Sequence, residues 1–378
     1  MVRFECDYAE GAHPQILKRL TETNFEQTKG YGEDGHCENA RRIIRLLCDS
    51  KTADVHFLVG GTQTNTTVIA SALRPHQGVI SAATGHINVH ETGAIEATGH
   101  KVLALPAENG KLTASQIEKA YTDHWEDGAH EHVVQPGMVY ISNPTEGGTI
   151  YTKAELQALS DVCRKNNLPL FMDGARLGYG LAAEGNDLTL PDIAKMCDVF
   201  YIGGTKIGAL FGEAVVITND VLKKDFRYLI KRHGGMLAKG RLLGIQFETL
   251  LGESSLGETL LGETSSGETL SGESLPGKLP GKSLPANGIY FEISRHAVQM
   301  AMLIRDAFKS KGFSFLCESP TNQQFPILTN EQINLFSQKY AFELWTKTDD
   351  NNAAVRFCTS WATREEDVQM LIKDIETL

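Results

Sequence analysis

Short apolar runs alternate with longer amphipathic stretches between about residues 54 and 217. The runs are rich in β-branched and aromatic residues and are bounded by turn-forming residues, which is typical of buried strands. The pattern predicts seven of them, at 55–59, 78–82, 101–105, 138–142, 169–172, 199–202 and 213–218. The stretches between them repeat apolar residues at helical spacing. Because strands that alternate with helices form sheets covered on both faces, we predict an α/β domain with a mostly parallel sheet.

The last ninety residues follow a different pattern. An amphipathic helix is predicted over 289–311, and three short strands follow near 324–328, 342–346 and 354–359. Thr363 and Glu366 have the spacing of a capping box, which predicts the start of a final helix. Because strands and helices do not alternate here, we predict a smaller α+β domain.

Between the two domains, the pair Gly-Glu recurs every five residues from 252 to 272. Glycine at that spacing opposes a helix, and the segment has too few apolar residues for a core. We predict that 251–286 is a solvated, disordered insertion. The predicted division is therefore an N-terminal segment with helices (1–50), a large α/β domain (51–250), the insertion (251–286) and a small domain (287–378).

Two strand ends carry candidate chemistry. The strand at 169–172 is followed by Asp173 and Arg176, and the strand at 199–202 by Gly203-Gly204-Thr205-Lys206. Carboxyl ends of parallel strands meet at one edge of a sheet, so these side chains should face one crevice. Pyridoxal phosphate (PLP) uses such a pair, since a lysine forms its Schiff base and a carboxylate keeps its ring nitrogen protonated. Taken singly, such a lysine is more often a surface cation and such an aspartate a helix cap.

Three further features fit the same crevice, each with a plainer alternative. Gly60-Gly61-Thr62 lies between a strand and a helix, where backbone N–H groups can bind a phosphate, although a simple strand–helix turn is commoner. His86 follows the strand at 78–82, where it could stack on a cofactor ring or act as a base, or be a structural histidine. Arg356 lies between apolar residues of the last strand and could bind a substrate carboxylate or lie on a solvated face.

Composition excludes several classes of protein. The 378 residues are 41% hydrophobic and 22% charged, and the formal net charge is -11, which argues against a nucleic-acid partner. The seven cysteines form no CxxC pair, so we expect reduced thiols and no metal site. We find neither a signal-peptide pattern nor an apolar stretch of about 18 residues. We therefore expect a cytoplasmic protein without a membrane partner.

Seven short motifs carry a family resemblance by their order along the chain. They are YGED (31–34), GGTQTN (60–65), GHINVHETGA (85–94), SNPTEGGTIY (142–151), DGARL (173–177), GGTKIGALFGE (203–213) and VRFCTSW (355–361). Together they resemble the low-specificity L-threonine aldolases, a fold-type-I, PLP-dependent family. The resemblance covers nearly the whole chain apart from 251–286. It implies a large domain with a seven-stranded sheet, and homodimers or homotetramers with active sites at the subunit interface.

The resemblance also implies roles for single residues. Lys206 would form the Schiff base, Asp173 would hold the ring nitrogen, and His86 would stack on the ring. The remaining implied positions are Gly61 and Thr62 for the cofactor phosphate, Thr205 for the cofactor, and Arg176, Arg356 and Cys6 for the substrate carboxylate. The chain departs from the family at three places, where Cys6 replaces a serine, Thr145 a histidine and Leu237 an arginine. Lys239 or Arg241 could replace that arginine.

The implied reaction cleaves the Cα–Cβ bond of a β-hydroxy-α-amino acid, giving glycine and an aldehyde. His86 is the candidate for the base that takes the β-hydroxyl proton, directly or through a water. A β-eliminating lyase or an aminotransferase would use the same Lys206 and Asp173. A non-catalytic interaction protein that uses the acidic repeat is the remaining alternative.

Overall fold

The computed structural model describes residues 1–252 and 288–377. The insertion predicted at 251–286 lies outside these residues from 253 onward, and Leu251 is the buried last residue of a helix. Within the described ranges, no helix is both long and apolar enough to cross a membrane.

The strands and helices are numbered here in chain order. The strands are β1 (Val2–Arg3), β2 (Asp54–Leu58), β3 (Gln77–Ala82), β4 (Val102–Leu105), β5 (Gln135–Ser142), β6 (Leu170–Asp173), β7 (Val199–Gly203), β8 (Glu213–Ile217), β9 (Gln323–Gln324), β10 (Ile327–Thr329), β11 (Tyr340–Ala341), β12 (Glu343–Lys347) and β13 (Asn352–Cys358). The α-helices are α1 (Pro14–Glu22), α2 (Gly35–Leu47), α3 (Gly61–Ala72), α4 (His86–Val89), α5 (Ala114–Glu126), α6 (Lys153–Lys165), α7 (Leu177–Ala182), α8 (Leu190–Met196), α9 (Asp220–Lys223), α10 (Phe226–Arg232), α11 (Arg241–Leu251), α12 (Ile289–Ser310), α13 (Asn330–Phe336) and α14 (Glu365–Glu376).

The seven strands predicted for the large domain form one sheet in the order β2-β8-β7-β6-β5-β3-β4. The pairs β3–β4, β3–β5, β5–β6 and β6–β7 are parallel, whereas β8 runs antiparallel to both β2 and β7. The predicted fold class, α/β with a mostly parallel sheet and further strands in a smaller lobe, is confirmed.

Side chains of the sheet alternate between two hydrophobic cores. Phe200 and Ile202 of β7 pack into one core, and Val199 and Tyr201 pack into the other. Since successive residues of a strand point to opposite faces, a strand buried on both faces is apolar throughout, as the sequence indicated. The same alternation places Tyr140, Phe171 and Tyr201 on one face, over which α3 and α10 pack.

One edge of this sheet collects the candidate residues. The carboxyl ends of β2, β3, β5, β6 and β7 lie at that edge because these strands all run in the same direction. Strand β8 runs the other way, so its first residue, Glu213, lies there too, opposite Leu58 and Gly203. The edge therefore receives side chains from both kinds of strand end.

The smaller lobe has its own sheet and core. Strand β13 pairs with β9, β10 and β12, and its apolar residues pack against α12 and α14. Strand β1 pairs with β11 of this lobe, and Phe4 is buried in its core. The residues after Phe4 then pass to the large sheet, so the N-terminal segment connects the two lobes.

Two predicted helix caps had different outcomes. Thr152 and Glu155 form the predicted capping box at the start of α6. The predicted cap of the last helix is wrong, because Arg364 is the N-cap residue of α14 and its side chain makes no capping hydrogen bond. The Thr363 hydroxyl instead accepts the N–H of Ser360, at 2.7 Å, and so is committed to the preceding turn.

Candidate active site

Lys206 lies on a tight loop between β7 and β8. The carbonyl of Gly212 accepts the N–H groups of Gly204 and Thr205, at 2.9 and 3.1 Å, which closes the loop at its base. A Cβ atom on Gly203 would lie 2.4 Å from the carbonyl oxygen of Ala175, so the chain approaches too closely there for any other residue. Lys206 is half-buried, and among the described residues its amine has neither a hydrogen bond nor an ion pair. It is thus held by its backbone and free at its nitrogen.

Asp173 ends β6 and is buried. Its carboxylate accepts hydrogen bonds from the Tyr140 hydroxyl (2.6 Å), the Asn65 amide (3.2 Å) and the Ala175 N–H (3.0 Å). Burial favours the neutral acid, but the charge of His86 and the hydrogen bond from Tyr140 outweigh it and lower the pKa of Asp173. The site therefore contains an ionised acid with little exposure to water.

The neighbouring Tyr201 hydroxyl is buried and makes no hydrogen bond within the described chain. It lies close enough to Asp173 for the carboxylate charge to raise the pKa of Tyr201, although burial is the larger cause. This phenol is one of the buried polar groups near Asp173 that have no hydrogen-bond partner among the described residues.

A buried glutamate orients His86. Nδ1 of His86 lies 2.9 Å from Glu91 Oε1, and the Asn65 amide donates to the same oxygen at 2.7 Å. The Asn65 amide thus connects Glu91 to Asp173. Burial opposes a charged imidazole, but the hydrogen bond to Glu91 and the charges of Glu146 and Asp173 raise the pKa of His86. Because Nδ1 is used by Glu91, Nε2 is the nitrogen left for other partners.

The start of α3 presents free backbone donors. Its N-cap, Gly60, offers no side-chain cap, so the first N–H groups of this twelve-residue helix have no side-chain acceptor. A Cβ atom on Gly61 would lie 3.3 Å from the Tyr201 hydroxyl, so a larger residue would narrow the crevice. Thr62 is exposed at the same end. The Thr205 hydroxyl, by contrast, donates to Glu213 at 2.8 Å.

Arg176 is paired with a buried acid that the sequence analysis did not select. Its Nε and Nη2 donate to the two carboxylate oxygens of Asp7, at 2.7 and 3.0 Å, and Asn322 donates to the same acid at 2.9 Å. Burial raises the pKa of Asp7, but the charges of Arg176 and Lys206 outweigh it and lower that pKa to about 2. One terminal nitrogen of Arg176, Nη1, remains without a partner in the described chain.

Arg356 lies on β13 at the junction with the N-terminal segment. Its guanidinium donates to the Gln323 side chain (3.0 Å) and the Glu5 carbonyl (2.9 Å) and forms an ion pair with Glu343. It also stacks against Trp345, with 5.2 Å from Cζ to the ring centroid. Its Nε is buried and has no hydrogen-bond partner among residues 1–252 and 288–377.

Cys6 lies in the same segment, near enough for Arg356 to affect it electrostatically, and burial raises the pKa of its thiol. It is therefore a neutral thiol at neutral pH.

The other departures from the family pattern occupy defined places. Thr145 is buried in a turn, where its hydroxyl lies 2.7 Å from that of Thr149. Arg241 donates to the carbonyls of Thr23 and Asn24, at 2.6 and 3.0 Å, so its side chain holds the N-terminal segment. Lys239 is exposed.

The residues present fit PLP. An ionised buried acid suits a protonated ring nitrogen, an unpaired lysine suits the aldehyde carbon, and free N–H groups at a helix start suit a phosphate. The buried, unpartnered Tyr201 hydroxyl also lies within this set.

The structure groups the sequence-predicted residues in two sets. Asp173 and His86 share the network through Glu91 and Asn65, whereas Arg176 and Lys206 both act electrostatically on Asp7. Sequence reasoning missed Asn65, Glu91 and Asp7. Asn65 and Glu91 stand within quoted motifs, and Asp7 directly follows the candidate Cys6, so an acid or amide at these places was the available signal.

A family model for beta-eliminating lyases matches residues 7–315. The low-specificity L-threonine aldolase of a Pseudomonas species is 28% identical over 382 residues, covering all of this chain and 97% of that protein. The corresponding protein of Pseudomonas aeruginosa is 29% identical and covers 83% of this chain and 88% of its own.

Solved structures extend the similarity to three dimensions. Threonine aldolase from Leishmania major superposes with a TM-score of 0.88 at 41% identity, over all of this chain and 99% of that one. An aspartate aminotransferase from Thermus thermophilus superposes with a TM-score of 0.67 at 12% identity, which shows a shared fold alone.

Proposed function

The chain belongs to the beta-eliminating lyase family, and from that premise we propose that it cleaves L-threonine and related β-hydroxy-α-amino acids to glycine and an aldehyde. The family resemblance predicted from the motifs is confirmed, and the protein is a PLP-dependent lyase. The observation that carries the proposal is the unpaired amine of Lys206 at the sheet edge where Asp173 is buried and ionised.

When bound, PLP supplies an electron sink for the pair released as the Cα–Cβ bond breaks. In our proposal, Lys206 would bind its aldehyde carbon and Asp173 would keep its ring nitrogen protonated. Gly61 and Thr62 hold the phosphate through the start of α3, with Thr205 at the adjacent loop. His86 would stack on the ring, and its hydrogen bond to Glu91 fixes its orientation.

The substrate carboxylate binds between the two arginines. Arg176 offers Nη1, because Asp7 occupies its other edge. Arg356 offers the guanidinium that also contacts the half-exposed Glu343, and Cys6 lies beside it. Two fixed cations orient the Cα substituents, and this orientation selects the bond that breaks.

His86 takes the β-hydroxyl proton through Nε2. Glu91 stabilises the imidazolium that results, because its carboxylate accepts a hydrogen bond from the Nδ1–H group of His86. A neutral histidine is needed for this step, so activity rises as the pH passes the pKa of His86, which lies above its ordinary value.

The experiment that tests the proposal is a comparison of wild type with Lys206→Ala on L-threonine. Wild type should release glycine and acetaldehyde in equal amounts, and Lys206→Ala should release neither while keeping the wild-type circular dichroism. Release of ammonia or a keto acid would identify the elimination or transamination alternative. A wild-type protein that binds no PLP would favour the non-catalytic alternative.

A second variant tests the ring-nitrogen partner. Asp173→Asn should still bind PLP but lose most activity, because a neutral amide cannot hold the ring proton. A near-normal turnover number would assign that role to another group.

We also propose that the protein is a cytoplasmic homodimer or homotetramer. Large apolar side chains at the surface support the assembly, among them Phe25 and Tyr228. The seven cysteines are all free thiols, which supports a reducing compartment. Sedimentation equilibrium tests the assembly, and a monomer at micromolar concentration would refute it.

A further inference from the structure

Glu213 is a buried acid at the site that the proposed mechanism does not use. It is 3% exposed and is the first residue of β8. Its carboxyl oxygens accept the Thr205 hydroxyl at 2.8 Å and the Gly204 N–H at 3.2 Å. Both donors belong to the two residues that directly precede Lys206. The acid is thus attached to the loop at the position of the lysine.

These bonds complete the closure of the loop. The Thr205 hydroxyl that donates to Glu213 also accepts the N–H of Gly212, at 3.0 Å. On the far side of the loop, the N–H of Leu210 donates to the Gln246 side chain at 2.7 Å. Among the described residues, the loop is supported beside Lys206 by Glu213 and by the Tyr179 hydroxyl, which donates to the Lys206 carbonyl at 2.5 Å. Burial raises the pKa of Tyr179, so this phenol stays neutral. Gln246 is a neutral support away from the lysine.

The charge of Glu213 changes within the working range of an enzyme. Burial raises its pKa to about 8, although the Thr205 hydrogen bond and the charge of Lys206 oppose the rise. The other titratable groups that face it are Asp173, which raises its pKa further, and the phenols of Tyr201 and Tyr290. Burial raises the pKa values of both phenols, so they remain neutral.

We propose that Glu213 is a positioning residue for Lys206, which holds the lysine loop and, when ionised, retains a proton on the lysine nitrogen. The inference rests on the proposed function in one respect, namely that Lys206 is the lysine that binds PLP. The charge of Lys206 acts on Glu213 and lowers the pKa of Glu213. The same interaction acts in reverse, so an ionised Glu213 favours a positive charge at the nitrogen that binds PLP, and a neutral side chain in its place does not.

The test is a pH titration of the holoenzyme, from about pH 6 to pH 10, followed by the visible absorbance of PLP attached to Lys206. Glu213→Gln keeps an acceptor for Thr205 but has no charge. We expect its titration midpoint to fall by about one pH unit, the shift typical of losing a neighbouring opposite charge. Glu213→Asp keeps the charge and should stay nearer to wild type. Gln246→Ala is the matched control, since it loosens the same loop without changing a charge, and its midpoint should equal that of wild type.

Equal midpoints in Glu213→Gln and wild type would overturn the inference. An equal shift in Gln246→Ala would also overturn it, because loop geometry would then explain the effect. If Glu213→Gln does not fold, Thr205→Val replaces it, since loss of the hydroxyl raises the pKa of Glu213 and should lower the midpoint in the same direction. An unchanged midpoint in Thr205→Val then overturns the inference. Wild type that attaches no PLP refutes the proposed function, whereas attachment with equal midpoints refutes only the role of Glu213.

Discussion

The two arginines assigned to the substrate carboxylate are held in opposite ways. Arg176 forms a two-bonded pair with Asp7, whose side chain is 0% exposed. Arg356 pairs with Glu343, whose side chain is 44% exposed, across the strands β12 and β13. Both arginines are buried, so the difference lies in their partners.

This difference separates a fixed ion pair from an exchangeable one. A buried pair with good geometry is costly to break, because the remaining charge has neither a partner nor water. An exposed carboxylate loses little when it returns to water, so an incoming carboxylate can replace it. We therefore expect Arg176 to contribute mainly to stability and orientation, and Arg356 mainly to substrate affinity.

The largest expected effect comes from breaking the buried pair. Arg176→Leu leaves Asp7 charged and buried, and should lower the free energy of unfolding by about 3–5 kcal/mol, measured by urea denaturation. The double variant Asp7→Leu/Arg176→Leu removes both charges and should recover more than half of that loss. If the double variant is as unstable as the single one, packing rather than charge explains the result.

Arg356→Leu should mainly affect substrate affinity. Loss of a charge-assisted hydrogen bond of about 1.5–3 kcal/mol corresponds to a rise in KM for threonine of about 10–100-fold. The visible spectrum of bound PLP should not change, because the arginine contacts substrate and not cofactor. Arg356→Lys keeps the charge and should fall between wild type and the leucine variant. An unchanged KM would leave Arg356 as a purely structural residue.

The buried pair should also give the protein a sensitivity to acid. The pKa of Asp7 falls from its ordinary value of 3.8 to about 2 on folding, so its ionised form stabilises the native state. That contribution, about 2 kcal/mol, is complete above about pH 5 and is lost as the pH falls from about 4 towards 2. The free energies of unfolding of wild type and Asp7→Asn should therefore converge by that amount between about pH 5 and pH 2. Parallel curves would contradict the assignment.

The smallest effect on substrate affinity and stability is expected from changing Glu343, the half-exposed partner of Arg356. Glu343→Gln removes a half-exposed carboxylate that competes for Arg356, and should lower KM for threonine by about fivefold or less, the effect of about 1 kcal/mol. Stability should change by less than about 0.5 kcal/mol. Glu331→Gln, on the exposed side of α13, serves as the control. A rise in KM would mean that Glu343 positions Arg356 rather than competes for it.

The sequence predicted the large sheet well because burial on both faces leaves a local signal. Each strand is a short apolar run, and the residues that follow it lie at the edge of the sheet where the carboxyl ends of the strands meet. Asp173 and Lys206 were selectable for that reason. The final helix shows the limit of local reasoning, since Thr363 has the correct spacing for a cap but its hydroxyl is used by the Ser360 N–H.

The partners of the selected residues were not predictable in the same way. Asp7 lies 169 positions from Arg176, and only the packing of the N-terminal segment joins them. Glu343 lies opposite Arg356 because of the register in which β12 pairs with β13. That register cannot be predicted from the sequence of either strand alone. Glu213 was not selected because the sequence analysis looked for site residues only at the carboxyl ends of strands. Strand β8 is antiparallel to β7, so the amino end of β8 lies at the site.

The N-terminal segment that connects the two lobes also sets the order in which the protein is completed during synthesis. The bond between Arg356 and the Glu5 carbonyl spans 351 residues, and that between Asn322 and Asp7 spans 315. At about 5–20 residues per second, Glu5 is made roughly 20–70 s before Arg356. A ribosome that stops before that point therefore releases a chain that can contain the large sheet and Lys206 but not the second arginine of the proposed substrate site.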